Sequence, residues 1–217
     1  MRLKCEEAAG FVLAGGMSSR MGQDKALVAL GGRSLIELGL DVLRGAGLPV
    51  SIAGARSALA EFAPVVEDEK ADAGPLSGIC AALAASTARW VVFLSIDQPL
   101  LPAALIAYLL RHARIADAAV TLASVNGFPQ TFPAAIFREA QPVLFAELES
   151  GRTGCYSAFR AAAQALRRPL SVLPAELLAQ AGQVDDPGSL PAALWFLNVN
   201  TPADLSRAES VLSRRIA

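Results

Sequence analysis

Residues 13–25 combine the residue types needed to hold phosphate: Leu13, Ala14, Gly15 and Gly16, then Arg20, Gly22 and Lys25. The glycines let the backbone turn its N–H groups toward an anion, and a loop between an apolar strand and a helix gathers such groups in one place. Arg20 and Lys25 add two cations. A nucleoside triphosphate carries roughly four negative charges, so these side chains cannot neutralise it alone and a divalent cation on a carboxylate must supply the rest. The spacing excludes an ordinary P-loop, because Arg20 and Met21 stand where its second glycine belongs. The dinucleotide fingerprint Gly-x-Gly-x-x-Gly is absent as well.

The carboxylate has two good candidates. Ligands of open parallel sheets collect at the carboxyl ends of strands, so the residues that follow each apolar run are the ones to inspect. Asp97 closes the run 90–96, where an unpaired carboxylate would be costly to bury and Mg²⁺ bridging phosphate oxygens is an economical partner. Its competing role is a helix N-cap ahead of Pro102. Asp68 follows the short strand 64–66 and precedes Gly74-Pro75-Leu76-Ser77-Gly78, whereas Glu67, Glu69 and Asp72 read as a solvated loop. Asn198 and Asn200 leave another strand end, and Asn200 is placed to complete a metal shell, with Thr201 a plain N-cap.

These residues need a scaffold that brings strand ends together. Short apolar runs at 10–14, 49–53, 90–95 and 118–122 alternate with helical patterns at 34–46, 76–87 and 102–113. Such alternation predicts a mostly parallel, Rossmann-like α/β sheet with helices on both faces, here as a single domain over residues 1–217. The order changes after residue 122, where the tight-turn signal Asn126-Gly127 and an extended run at 131–137 predict an antiparallel excursion. Residues 138–166 read as two helices broken at Ser150-Gly151 and Gly154, residues 180–191 as a polar loop, 194–197 as a closing strand, and a last helix starts at Pro202.

Composition narrows the functional classes. A formal net charge of −1 and 6% aromatic residues do not provide the basic or base-stacking surface of a nucleic-acid binder. No apolar run approaches a membrane span and no signal-peptide core precedes the first strand, so the expectation is a soluble cytoplasmic protein without membrane partners. Cys5, Cys80 and Cys155 are scattered and read as reduced; with the lone His112 on a helical segment they give neither a zinc site nor a nucleophile–base pair.

Together the motifs carry a resemblance. Leu-Ala-Gly-Gly-x-Ser-x-Arg-Met-Gly-x-Asp-Lys, Asp68 with Gly74-Pro75-Leu76-x-Gly78, Asp97-x-Pro99, and Asn198-Val199-Asn200-Thr201-Pro202 with Asp204-Leu205 resemble the molybdenum cofactor guanylyltransferase family, in family order over about residues 10–206. The resemblance implies a nucleotidyltransferase fold of the glycosyltransferase-A type. It also implies GTP as donor, Mg²⁺ as cofactor, molybdopterin or its molybdenum form as acceptor, and transient contact with proteins that make or receive the cofactor. Carried over by residue, Leu13 to Gly16 and Lys25 form the GTP loop, Asp68 contacts guanine, Asp97 binds Mg²⁺, and Asn198 and Asn200 serve the acceptor or metal. In the chemistry so implied, Arg20 and Lys25 with Mg²⁺ on Asp97 are the catalytic groups, stabilising charge that develops on the phosphates. The chain departs from the family pattern at Ala53, where asparagine is common, at Ile96, where cysteine is common, and at Gln130-Thr131 in place of His-Pro. A cytidylyltransferase of the same cofactor is the nearest rival, disfavoured by Leu-Ala-Gly-Gly. A sugar-phosphate nucleotidyltransferase and a non-catalytic nucleotide-binding chaperone are the others.

Overall fold

Two six-residue apolar runs, Ala8–Leu13 (β1) and Trp90–Ser95 (β6), are too short for an amphipathic helix and have no polar side, so they can only be strands covered on both faces. In the computed structural model, which describes residues 7–15, 24–54, 57–68, 74–186 and 188–216, they are the central parallel pair of a seven-stranded sheet. Around them stand Ala29–Leu30 (β2), Arg33–Ser34 (β3), Val50–Ala53 (β4), Val65–Val66 (β5), Val120–Val125 (β7), Phe128–Phe137 (β8) and Leu170–Pro174 (β9). The helices are Leu35–Gly45 (α1), Pro75–Ala85 (α2), Ala103–Ile115 (α3), Gln141–Glu149 (α4), Cys155–Leu166 (α5), Ala175–Gln180 (α6), Ala192–Trp195 (α7) and Pro202–Ile216 (α8). The order across the sheet is β5-β4-β1-β6-β8-β7-β9, and β8 alone runs antiparallel to its neighbours; β2 and β3 form a separate small hairpin.

Side chains alternate between two cores, as strand geometry requires. Val12, Val92 and Leu94 face a layer containing α1 and α3, with Leu40, Leu43, Leu105 and Leu109. Phe11, Leu13, Val91 and Phe93 face α2, α4 and α5, with Leu76, Ile79, Leu144 and Phe159. The mostly parallel sheet with helices on both faces is thus as the sequence pattern predicts. The antiparallel excursion is β7–β8, turned by Asn126 and Gly127 at φ 51° and 78°, a conformation that suits an Asn-Gly hairpin. The two helices expected over 138–166 are α4 and α5. Among the described residues no helix is long and apolar enough to cross a membrane.

The expected strand at 194–197 is not there; α7 takes its first two residues and Phe196 is the helix C-cap. The two buried residues of α7, Ala192 and Trp195, are three apart, which puts them on one face of a single helical turn, and Pro191 holds the N-cap position. The Trp195 indole N–H donates to the Leu190 carbonyl at 3.0 Å. The N-cap of α3 is Pro102, so Asp97 is not its cap. Thr201 does cap α8: its hydroxyl accepts from the Asp204 N–H at 3.2 Å, while the Asp204 carboxylate accepts from the Thr201 N–H at 2.8 Å.

Candidate functional site

Parallel pairing sets four strand ends level. Leu13 pairs with Ala53 on one side and Ser95 on the other, and Ala53 pairs with Val66. The chain leaving each strand therefore enters one space. Ladder bonds continue past the ends, Ala14 N–H to the Ala53 carbonyl at 2.9 Å and Gly54 N–H to the Val66 carbonyl at 3.0 Å. They draw Gly54 against Gly15: a Cβ on Gly54 would lie 3.0 Å from the Gly15 nitrogen, and its φ of 147° suits glycine alone. Beyond these ends opens a cavity of about 280 Å³, lined by Leu13, Gly15, Ala53, Gly54, Asp68 and Gly78 toward one side and by Lys25, Ile96, Asp97 and Phe132 toward the other.

The first side holds a buried carboxylate. Asp68 is 8% exposed and accepts a short hydrogen bond from the hydroxyl of Ser77, itself buried in the first turn of α2. Pro75 begins that helix after Gly74, whose φ of 76° turns the chain into it. Carboxylate and hydroxyl thus stand at the wall formed by β4, β5 and α2.

The second side holds a cation between two oxygen groups. Asp24 opens a 3₁₀ turn, Lys25–Leu27, by accepting from the Ala26 N–H at 2.9 Å. Lys25 then reaches over the end of β6, where Nζ donates to Asn200 Oδ1 at 2.5 Å and lies 3.4 Å from Asp97 Oδ2. The chain 198–200 runs beside Asp97 because the Val199 N–H donates to the Asp97 carbonyl at 2.8 Å. Asn200 is fixed in turn by Asp204, which accepts from the Asn200 N–H at 3.1 Å. Hydrogen bonds from the Thr201 hydroxyl and then from the Asn200 backbone hold the Asp204 carboxyl below the usual carboxylate range.

The oxygen donors here are one carboxylate and one carboxamide. Among the described residues no three His, Cys, Asp or Glu side chains gather closely enough to hold a metal by themselves. That donor set suits a hard cation that takes its remaining ligands from phosphate and water, which is how Mg²⁺ is bound, and not zinc.

Of the residues singled out in the sequence, Leu13, Gly15, Lys25, Asp68 and Asp97 line the same cavity, with Ala14 buried beside Gly15 and Asn200 bonded to Lys25. Asn198 is exposed and is not among the described residues lining the cavity. Gly16 and Arg20 lie outside the described residues. His112 is in the last turn of α3, and Cys80 and Cys155 are buried, their thiols pushed up to about 12 and about 11 by burial. Sequence reasoning missed Gly54, Ser77 and Phe132. Ser77 sits inside a motif quoted above, so position after Asp68 and before a helix was its available signal; Phe132 offered none.

The family model described as MobA-like NTP transferase domain matches residues 10–181, a span that contains every lining residue of this cavity. The chain belongs to that family. This MobA-like transferase is similar to a molybdenum cofactor guanylyltransferase of Rhizobium leguminosarum bv. trifolii, 35% identical over 208 residues, covering 94% of this chain and 92% of that protein. A probable molybdenum cofactor guanylyltransferase of Opitutus terrae is 40% identical over 126 residues, 55% of this chain and 62% of the relative. Among solved structures, molybdopterin-guanine dinucleotide biosynthesis protein A of Archaeoglobus fulgidus shares the fold, with a TM-score of 0.75, 24% identity, and coverage of 94% of this chain and 98% of that one. The MobA-like domain is a nucleotidyltransferase fold, as the sequence motifs led us to expect.

Proposed function

We propose that the protein transfers GMP from GTP to molybdopterin or its molybdenum form, releasing pyrophosphate. The observation that carries this reading is a single cavity with a buried carboxylate, Asp68, at one side and a cation between two oxygen donors, Lys25 with Asp97 and Asn200, at the other. A carboxylate only accepts hydrogen bonds. Guanine offers it two adjacent donors, N1–H and the 2-amino group, whereas the corresponding edge of cytosine has one donor beside two acceptors. Asp68, steadied by Ser77, therefore favours GTP over CTP.

In the reaction a terminal phosphate oxygen of the acceptor attacks the α-phosphorus of GTP. The new P–O bond forms as the bond to the β-phosphate bridging oxygen breaks, and pyrophosphate leaves with the electron pair. No nucleophile from the protein is needed. Lys25 donates to phosphate oxygens and stabilises the charge that develops on the leaving group, and Arg20 adds a second cation from the loop. The backbone at Leu13 to Gly16 holds the nucleotide against β1 and β4, so that it is positioned before attack. Asp97 and the Asn200 carboxamide would hold Mg²⁺, which when bound neutralises phosphate charge that two side chains cannot. Asn198 is assigned to the acceptor side.

Thermal stabilisation by GTP, CTP and ATP, each with and without Mg²⁺, tests the reading. GTP with Mg²⁺ should raise the melting temperature most, since at equal concentration a ligand bound by the folded state alone stabilises it more the tighter it binds, by RT ln(1 + L/Kd) with L the free ligand concentration. Equal stabilisation by CTP would overturn the base assignment.

A further inference from the structure

β8 leaves the regular sheet where the sheet meets the cavity. Its pairing with β6 runs from Trp90↔Phe137 to Phe93↔Ala134, and its pairing with β7 slips between Leu122↔Ala134 and Ser124↔Pro129. Between those two pairs β7 advances two residues and β8 five, so residues 130–133 form a bulge. Bulges re-aim side chains, and this one turns Phe132 into the cavity, where it is 9% exposed. The bulge is held from its far end: the Asn126 N–H donates to the Glu176 carboxylate of α6 at 2.5 Å, fixing the hairpin turn.

The sheet order says which substrate meets this wall. Asp68 and Ser77 stand at β5 and α2, the Lys25–Asp97–Asn200 group at the end of β6, and Phe132 on the strand beyond it. With about 4.8 Å between neighbouring strands, β4 and β8 are separated by roughly 14 Å. A triphosphate that places its base near Asp68 and its phosphates at Lys25 lies on the β4 side of β6. The β8 side is left to the second substrate. The described lining there is apolar, Phe132 with Ile96, and adds no charge beyond Lys25 and Asp97.

Building on the guanylyl-transfer reading, we propose that Phe132 determines acceptor specificity, its ring stacking on the flat heterocycle of a pterin-type acceptor while the acceptor's phosphate lies at Lys25. An apolar aromatic face gathers a planar ring system and offers nothing to the hydroxyl groups of a sugar phosphate. Phe132 is thus a specificity residue and takes no part in the bond exchange.

The test is steady-state kinetics of the full chain with GTP, Mg²⁺ and molybdopterin, for wild type, Phe132→Leu, Phe132→Ala and Phe132→Trp. Leucine keeps apolar packing and removes the π face, so it keeps the variant falsifiable if alanine fails to fold. Loss of stacking should raise the acceptor KM about tenfold in Phe132→Leu and Phe132→Ala, while the KM for GTP stays within about twofold. Tryptophan should restore the acceptor KM toward wild type. A wild-type acceptor KM in Phe132→Leu, or a rise in the KM for GTP that matches the rise for the acceptor, overturns the proposal while guanylyl transfer stands. A wild-type protein that does not transfer GMP to molybdopterin overturns the underlying reading, and the proposal falls with it.

Discussion

Replacing Gly54 with alanine should damage nucleotide binding through the backbone alone. Two costs can be worked from the structure. At φ 147° an alanine occupies a region that is essentially restricted to glycine, which costs on the order of 1–3 kcal/mol. Its Cβ would also lie 3.0 Å from the Gly15 nitrogen, 3.2 Å from the Ala14 carbonyl carbon and 3.3 Å from the Gly15 Cα, all backbone atoms that no side-chain rotation can move away. The segment Ala14-Gly15 must therefore shift, and it is the segment proposed to lie against the triphosphate. For a chain of this size 1 kcal/mol corresponds to about 2–4 °C in Tm, so Gly54→Ala should melt roughly 2–12 °C lower. GTP affinity, measured by titration calorimetry well below the melting range, should fall about tenfold, as expected when positioning contacts are displaced by a few tenths of an ångström. Gly47→Ala is the control: Gly47 also has a positive φ, 77°, but a Cβ there meets nothing within 4 Å. It should lose stability and keep its affinity for GTP. If Gly54→Ala melts and binds GTP like wild type, or if Gly47→Ala weakens GTP binding equally, the packing of Gly54 on Gly15 does not shape the site.

Three further outcomes are expected. Asp97→Asn, which preserves shape while removing the charge beside Lys25, should lower kcat by about a hundredfold or more with little change in Tm, measured by pyrophosphate release and calorimetry. Asp68→Asn should reduce the preference for GTP over CTP by tenfold or more, since a hydrogen bond to a charged group contributes about 1.5–3 kcal/mol, and competition between the two nucleotides reads this directly. Asp204 has its carboxyl held down in the folded protein, so its contribution is complete above the ordinary carboxylate value and is lost as pH falls through the lowered one. Comparing Tm against pH for wild type and Asp204→Asn should therefore show a gap above about pH 4 that closes in more acidic solution.

The parts of the fold legible in the sequence were those whose constraint is local. β1 and β6 are apolar on both faces because both are covered, and Asp68 and Asp97 stand out as carboxylates placed straight after such runs. The Asn126-Gly127 turn and the Thr201–Asp204 cap are likewise set by residues within a few positions of one another. β9 was missed because it is an edge strand whose residues are half-buried, leaving no clean alternation to read. The strand expected at 194–197 failed for a different reason: four consecutive apolar residues read as a strand, but the chain there ends a short helix capped by Pro191 whose buried residues, Ala192 and Trp195, are three apart. In the site, Lys25 and Asp97 are 72 positions apart, and only residue type hinted that they meet. Gly54 and Phe132 were invisible, since one depends on the approach of a neighbouring strand's exit and the other on a register slip between β7 and β8.

In the proposed reaction one cavity binds GTP by its base and phosphates and passes GMP to a pterin-bearing phosphate. Incubating the full chain with molybdopterin, Mg²⁺ and equimolar GTP and CTP, and weighing the pterin product by mass spectrometry, tests it most directly. A guanine dinucleotide should form in step with pyrophosphate; a cytosine product, or pyrophosphate release with no dinucleotide, would refute guanylyl transfer at this cavity.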